Sequence, residues 1–226
     1  MKLLIAALLP ILVVVCLIYY LDKYEKEPKG LLIRHFFLGA IVSIIITTII
    51  YVAFDYVLPL KDDFSIIQQF IKAFIVVALT EEFSKYVIVK YVAQPNKAFN
   101  EPYDGIAYAV MVSMGFAATE NIMYVIDGGL GTAVVRAFTA VPAHATFAVL
   151  MGYYMGKAKF SNNRVKLNLI GLLLAVVFHG AYDFFLFIEF IPGIWIGAFV
   201  SLGIGLVLSR KAVIKHQNNS HFKEIK

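Results

Sequence analysis

An all-α, polytopic transmembrane helical bundle of about seven spans is the fold this sequence predicts, and three observations predict it. Hydrophobic residues make up 61% of the chain and charged residues 15%, with a mean hydropathy of +0.80. A soluble domain needs a polar surface that this composition does not supply. Apolar stretches of about 20 residues, the length that crosses a hydrocarbon core, recur along the chain. Lysine and arginine then gather in alternate connections.

Seven apolar segments follow in order: 3–21, 31–54, 66–92, 104–126, 132–156, 167–189 and 191–209. The first, LLIAALLPILVVVCLIYYL, is longer than the apolar core of a signal peptide. It runs into DKYEKEPKG with no small-residue cleavage pattern, so it reads as a retained anchor. The last two are separated by little more than EFIPG and form a tight hairpin, or one span plus a re-entrant piece. Gly152 with Gly156, and Gly193 with Gly197, have the small-xxx-small spacing that lets helix backbones approach closely. Residues 1–209 are expected to form one membrane domain and residues 210–226 a polar cytoplasmic tail, of which KHQNNSHFKEIK (215–226) frays.

Charge sets the expected orientation. Fifteen lysines and arginines fall in one set of connections and tails, among them Lys23, Lys26, Lys97, Arg164 and Arg210. The opposite side holds two, Lys2 and Lys61. That asymmetry places the amino terminus outside and the carboxyl terminus in the cytoplasm. Basic residues spread over loops orient a membrane protein and form no nucleic-acid surface. The single cysteine, Cys16, lies in an apolar run, where it has no disulfide partner and no neighbours for a metal site.

Against this background several side chains are out of place, since an ionisable group at mid-bilayer costs roughly 2.5–3.5 kcal/mol on insertion scales. Glu81, Glu82 and Lys85 lie in the third segment, Glu120 and Asn121 in the fourth, Arg136 and His144 in the fifth, and His179 and Asp183 in the sixth. At about 1.5 Å rise per residue, Glu81, His144 and His179 each lie roughly 16–18 Å from the cytoplasmic end of their segment. Glu120 falls in the same layer if its span begins near Tyr108. Glu81 with Lys85, and His179 with Asp183, are i,i+4 pairs on one helix face. Glu81 and Glu82 sit about 100° apart around the axis, so one faces a shared pocket while the other orients it or pairs with a neighbouring helix. Asn121 suits helix–helix glue. Arg136, near the outer surface, either snorkels or counters an acidic pocket.

Carboxylates and imidazoles gathered in a cavity of low dielectric suit a hydrolytic reaction by one of two routes. A glutamate takes a proton from water, or a His and carboxylate set holds a divalent metal that acidifies bound water. A proton-coupled transporter, using the same groups as a relay, is the alternative reading.

EEFSK (81–85) matches an E-E-x-x-K motif, FAATE (116–120) matches F-x-x-x-E, His144 lies in PAHATFAVLMGYYMG, and HGAYD (179–183) matches H-x-x-x-D. In this order on successive membrane helices, over about residues 20–190, they resemble the PrsW family of intramembrane proteases, related to the CAAX prenyl proteases. The CAAX relatives end the second motif in His where this chain has Glu120. The resemblance implies a multi-pass protease of the bacterial plasma membrane. Its partner would be a single-span membrane substrate, an anti-sigma factor receiving its site-1 cut in a stress response. It implies Glu81 and Glu82 as the catalytic pair, with Glu120, His144, His179 and Asp183 completing the site. Those last four are also the candidate ligands if the family's divalent metal, zinc, is required. Lys85, Asn121 and Arg136 would support them.

Overall fold

In a computed structural model, which describes residues 1–224, all regular secondary structure is helical. Seven long helices follow one another: α1 Lys2–Leu21, α2 Lys29–Val57, α3 over 66–93, α4 Pro102–Phe138, α5 Ala140–Lys159, α6 Arg164–Phe187 and α7 Ile196–Asn218. A 3₁₀ turn, His221–Glu224, closes the described chain. Five helical segments are long and apolar enough to cross a membrane: Lys2–Leu21, Lys29–Val57, Pro102–Lys159, Arg164–Phe187 and Ile196–Asn218. The third of these contains both α4 and α5. Helix α3 carries Lys72, Glu81, Glu82, Lys85 and Lys90, which dilute its apolar run.

The surface is apolar. Ile5, Leu9 and Val13 of α1, Ile45, Ile49 and Val52 of α2, and Ile204 and Val207 of α7 are all exposed. Helix α3 shows the inversion most clearly: Phe83 points outward, whereas Thr80, Glu81, Glu82, Ser84 and Lys85 are buried. Polar residues turned inward and apolar ones outward are what a lipid solvent demands. Two π-helical stretches, Lys72–Leu79 and Val89–Ala93, bracket the polar turn Thr80–Ile88, and such stretches rotate the helix faces on either side of them.

Helix α4 is the hub, packed on α1, α2 and α5. Pro102 opens it, and the Asp104 carboxylate accepts from the backbone N–H groups of Asn100 (2.6 Å) and Glu101 (2.8 Å). Close crossings follow from glycine. A Cβ on Gly105 would overlap the backbones of Gly152 and Gly156, and one on Gly115 would overlap the Phe36 carbonyl. The Gly152/Gly156 spacing therefore serves the α4–α5 crossing.

Of three expectations here, one holds and two need correction. Residues 126–132 do hold the expected break between two helices: α4 is two helical segments that meet at Gly129, whose φ of 73° and ψ of −162° only glycine adopts readily. Gly193 packs no helix; it has φ 79° in the turn before α7, which starts at Ile196, and Gly197 lies under the Phe185 ring. At its other end α7 runs past residue 210 into the tail and stays helical to Asn218, where fraying was expected from Lys215. Its polar side chains find backbone partners there: Gln217 donates to the Leu21 carbonyl (2.5 Å), and His216 Nε2 meets the Tyr153 carbonyl (2.9 Å).

Candidate active site

A cavity of about 620 Å³ lies among α2, α3, α4, α5 and α6. Glu81, Glu120, Arg136, His144, His179 and Asp183 all line it, and it reaches Lys72, Thr139 and Phe187 at one end of the bundle. Polar groups carried by four successive helices therefore meet in one chamber. Three candidates stand behind the wall: Glu82, Lys85 and Asn121 are fully buried.

The adjacent glutamates divide as their 100° offset requires. Glu81 faces the cavity, where its Oε1 accepts a hydrogen bond from the Tyr51 hydroxyl at 2.8 Å. Glu82 turns inward, and its Oε1 binds Lys85 Nζ at 2.7 Å and His179 Nδ1 at 2.9 Å. Lys85 Nζ also lies 3.4 Å from Glu81 Oε2 and 3.4 Å from His144 Nδ1. An ammonium only donates, so His144 Nδ1 accepts. The other ring nitrogen, Nε2, then carries the hydrogen and donates to Glu120 Oε2 at 2.8 Å. His179 has a carboxylate at each nitrogen, Glu82 at Nδ1 and Asp183 at Nε2 (3.2 Å). The two imidazoles stand edge to face with centroids 5.6 Å apart, and Phe147 stacks on His179 at 4.9 Å.

Arg136 does not snorkel. Its Nη2 donates to Glu120 Oε2 at 2.7 Å and its Nε to Asn121 Oδ1 at 2.5 Å. Residues 16 apart in a straight helix would be about 24 Å apart, so the bend at Gly129 is what brings Arg136 back over Glu120. Asn121 acts as glue: its amide donates to the Ala7 carbonyl of α1 at 2.8 Å.

A divalent metal at this site has to be reconciled with Lys85. The donor atoms that lie within 4.8 Å of one another belong to Glu81, Glu82 and His144. The same three groups surround the Lys85 ammonium, so in this arrangement a positive charge already holds the point they share, and they do not fit a metal ion as well. Glu120, His144, His179 and Asp183 instead pair off, Glu120 with His144 and Asp183 with His179.

Tyr51 and the network behind it escaped the sequence reading. Thr47 donates to Ser84 Oγ (3.0 Å), and Ser84 donates to the Glu81 carbonyl (2.8 Å), which ties α2 to α3 beneath the catalytic candidates. A signal was present: Ser43, Thr47 and Tyr51 recur every four residues along an apolar helix, marking one polar stripe.

The family described as "PrsW family intramembrane metalloprotease" matches residues 27–209. A protein named Protease PrsW from Oceanobacillus iheyensis is 40% identical over 187 residues, covering 82% of this chain and 83% of the relative. The Bacillus subtilis protein of the same name is 37% identical over 183 residues, covering 80% and 81%. That of Clostridioides difficile is 34% identical over 198 residues, covering 84% and 81%. No solved structure matches.

Proposed function

Because this chain belongs to the PrsW family of intramembrane proteases, we propose that Glu81 is the general base that activates water against a peptide bond in its membrane-bound substrate. One observation carries the assignment: of the two adjacent glutamates, Glu81 reaches the cavity, while Glu82 is sealed behind it on Lys85 and His179. Glu81 takes the proton of a water held between it and the His144–His179 pair, and returns it to the amide nitrogen as the C–N bond breaks. The Tyr51 hydroxyl, turning from Glu81, stabilises the oxyanion that develops on the attacked carbonyl. Glu120 and Asp183 orient the imidazoles, and Glu82 with Lys85 hold Glu81 and His179 in register. No step passes through a metal, since the Lys85 ammonium occupies the point where Glu81, Glu82 and His144 converge.

The substrate in this reading is a single-span protein of the bacterial plasma membrane, an anti-sigma factor cut at its first site in a stress response. Seven spans, with the amino terminus outside and the carboxyl terminus in the cytoplasm, go with it. Support comes from the cavity's extension to Lys72, Thr139 and Phe187, at the end of the bundle that this orientation places outside. The relatives are bacterial and named for proteolysis, which favours this reading over transport.

The test is cleavage of a co-reconstituted single-span substrate. Glu81→Gln, Glu82→Gln and His179→Ala are each expected to abolish the cut while leaving membrane insertion intact. Full activity in all three overturns the assignment.

A further inference from the structure

A second group of acids lies far from the cavity. Glu25 and Glu27, in the connection between α1 and α2, meet Asp104 at the start of α4, each offering an oxygen within 4.8 Å of the others. Asp104 precedes Glu120 by 16 residues, about 24 Å of helix, so this group belongs to the opposite end of the bundle. Clustered acids are ordinary on a wet surface, but these are not wet. Glu27 and Asp104 are almost wholly buried. One carboxylate oxygen of each of the three, Glu25 Oε2, Glu27 Oε1 and Asp104 Oδ1, is shielded from solvent and has no hydrogen-bond partner. Unpaired oxygens also recur at the neighbouring positions Asp22, Asn100 and Glu101.

The remaining oxygens are well supplied. Asp104 Oδ2 takes the two backbone N–H groups at the start of α4, and Glu27 Oε2 accepts from the Tyr108 hydroxyl. Two nearby lysines donate their hydrogen bonds elsewhere. Lys26 Nζ donates to the Tyr19 carbonyl and stands over the Tyr19 ring, and Lys159 Nζ donates to the carbonyls of Gln94 (2.6 Å) and Asn96 (2.8 Å). Among the described residues no ion pair reaches Glu25, Glu27 or Asp104. A buried carboxylate with an orphaned oxygen is costly until a charge arrives to satisfy it.

We propose that Glu25, Glu27 and Asp104 form an oxygen-only site for a hard divalent cation, Ca²⁺ or Mg²⁺, that pins the α1–α2 connection to the start of α4. Carboxylate oxygens with no nitrogen or sulfur among them select these ions over zinc. The site is structural. It holds together an end of the bundle to which the end of α7 is also tied, through Gln217 and the Leu21 carbonyl. It makes no contact with the cavity.

The experiment adds CaCl₂ or MgCl₂ alone to the purified, chelator-washed protein in detergent, and follows thermal unfolding and calorimetric binding. A saturable heat is expected for at least one ion, with Tm rising as the logarithm of its concentration. Glu27→Gln and Asp104→Asn should each remove both, and Glu25→Gln, at the less buried position, should weaken them. Asp55→Asn, an acid remote from this group, should leave both unchanged. The proposal fails if the wild type shows neither heat nor shift with either ion, or if Glu27→Gln retains the full response. It fails equally if Glu27→Gln raises Tm without ion and the wild type ignores both salts, because protons then satisfy the cluster. Binding is read without any substrate, so the outcome is independent of the protease mechanism.

Discussion

Lys85 Nζ stands 2.7 Å from Glu82 Oε1, and neither side chain reaches solvent. This contact explains how a membrane helix carries three charged residues within five positions. The ammonium also serves Glu81 and the His144 ring, so two carboxylates share a single counter-ion within one turn. Removing one member of such a group leaves a buried charge without compensation.

Lys85→Met is therefore expected to destabilise the protein by roughly 3–5 kcal/mol. Adding Glu82→Gln to it should recover part of that loss, giving a clear coupling in a double-mutant cycle. Denaturant unfolding in detergent measures both, and a Lys85→Met protein as stable as wild type contradicts the assigned ion pair.

Tyr51→Phe tests the group that faces Glu81 from α2. It removes one hydroxyl donor from the cavity wall and leaves the packing of the ring in place. Turnover should fall roughly 10²-fold with KM little changed and the unfolding midpoint near that of wild type. A fall in stability that accounts for the lost turnover would make Tyr51 a packing residue instead.

The crowding of Lys85 among Glu81, Glu82 and His144 bears on zinc. Purified protein that cleaves substrate should contain no stoichiometric zinc, and 1,10-phenanthroline should leave its rate unchanged. Elemental analysis run alongside the cleavage assay reads this directly. One zinc per chain, lost together with activity and restored with it, would require Lys85 to move aside.

Glycine substitutions separate tight crossings from open positions. Gly105→Val drives a side chain into the backbones of Gly152 and Gly156 and should cost at least ~1–3 kcal/mol. Gly131→Ala meets nothing within 4 Å and should be neutral or slightly stabilising. Thermal unfolding of the two variants side by side checks the α4–α5 interface.

Much of the architecture was legible in the chain because it is local. A run of about 20 apolar residues specifies a membrane helix wherever it occurs, and the helices begin close to where those runs begin, at Lys2, Lys29, residue 66 and Pro102. The i,i+4 pairing of His179 with Asp183 is a property of one helix and appears as a 3.2 Å contact. Gly129 was harder to read. Its glycine-rich surroundings suggest a break between two helices, and the non-helical glycine supplies it, although the residues on either side stay helical closer to it than a loop would allow.

What the sequence alone determined is therefore the class of molecule, its helices, and the presence of acids and imidazoles at a similar depth in four of them. Tertiary structure decided which side chain meets which. Each residue turns the helix face by about 100°, and a π-helical stretch or a glycine bend shifts it again, so the choice of Glu81 over Glu82 for the cavity wall depends on rotations that no local pattern encodes. The same holds for Tyr51 against Glu81 and Arg136 against Glu120. These are contacts between segments 30 and 16 residues apart, fixed only when the helices pack.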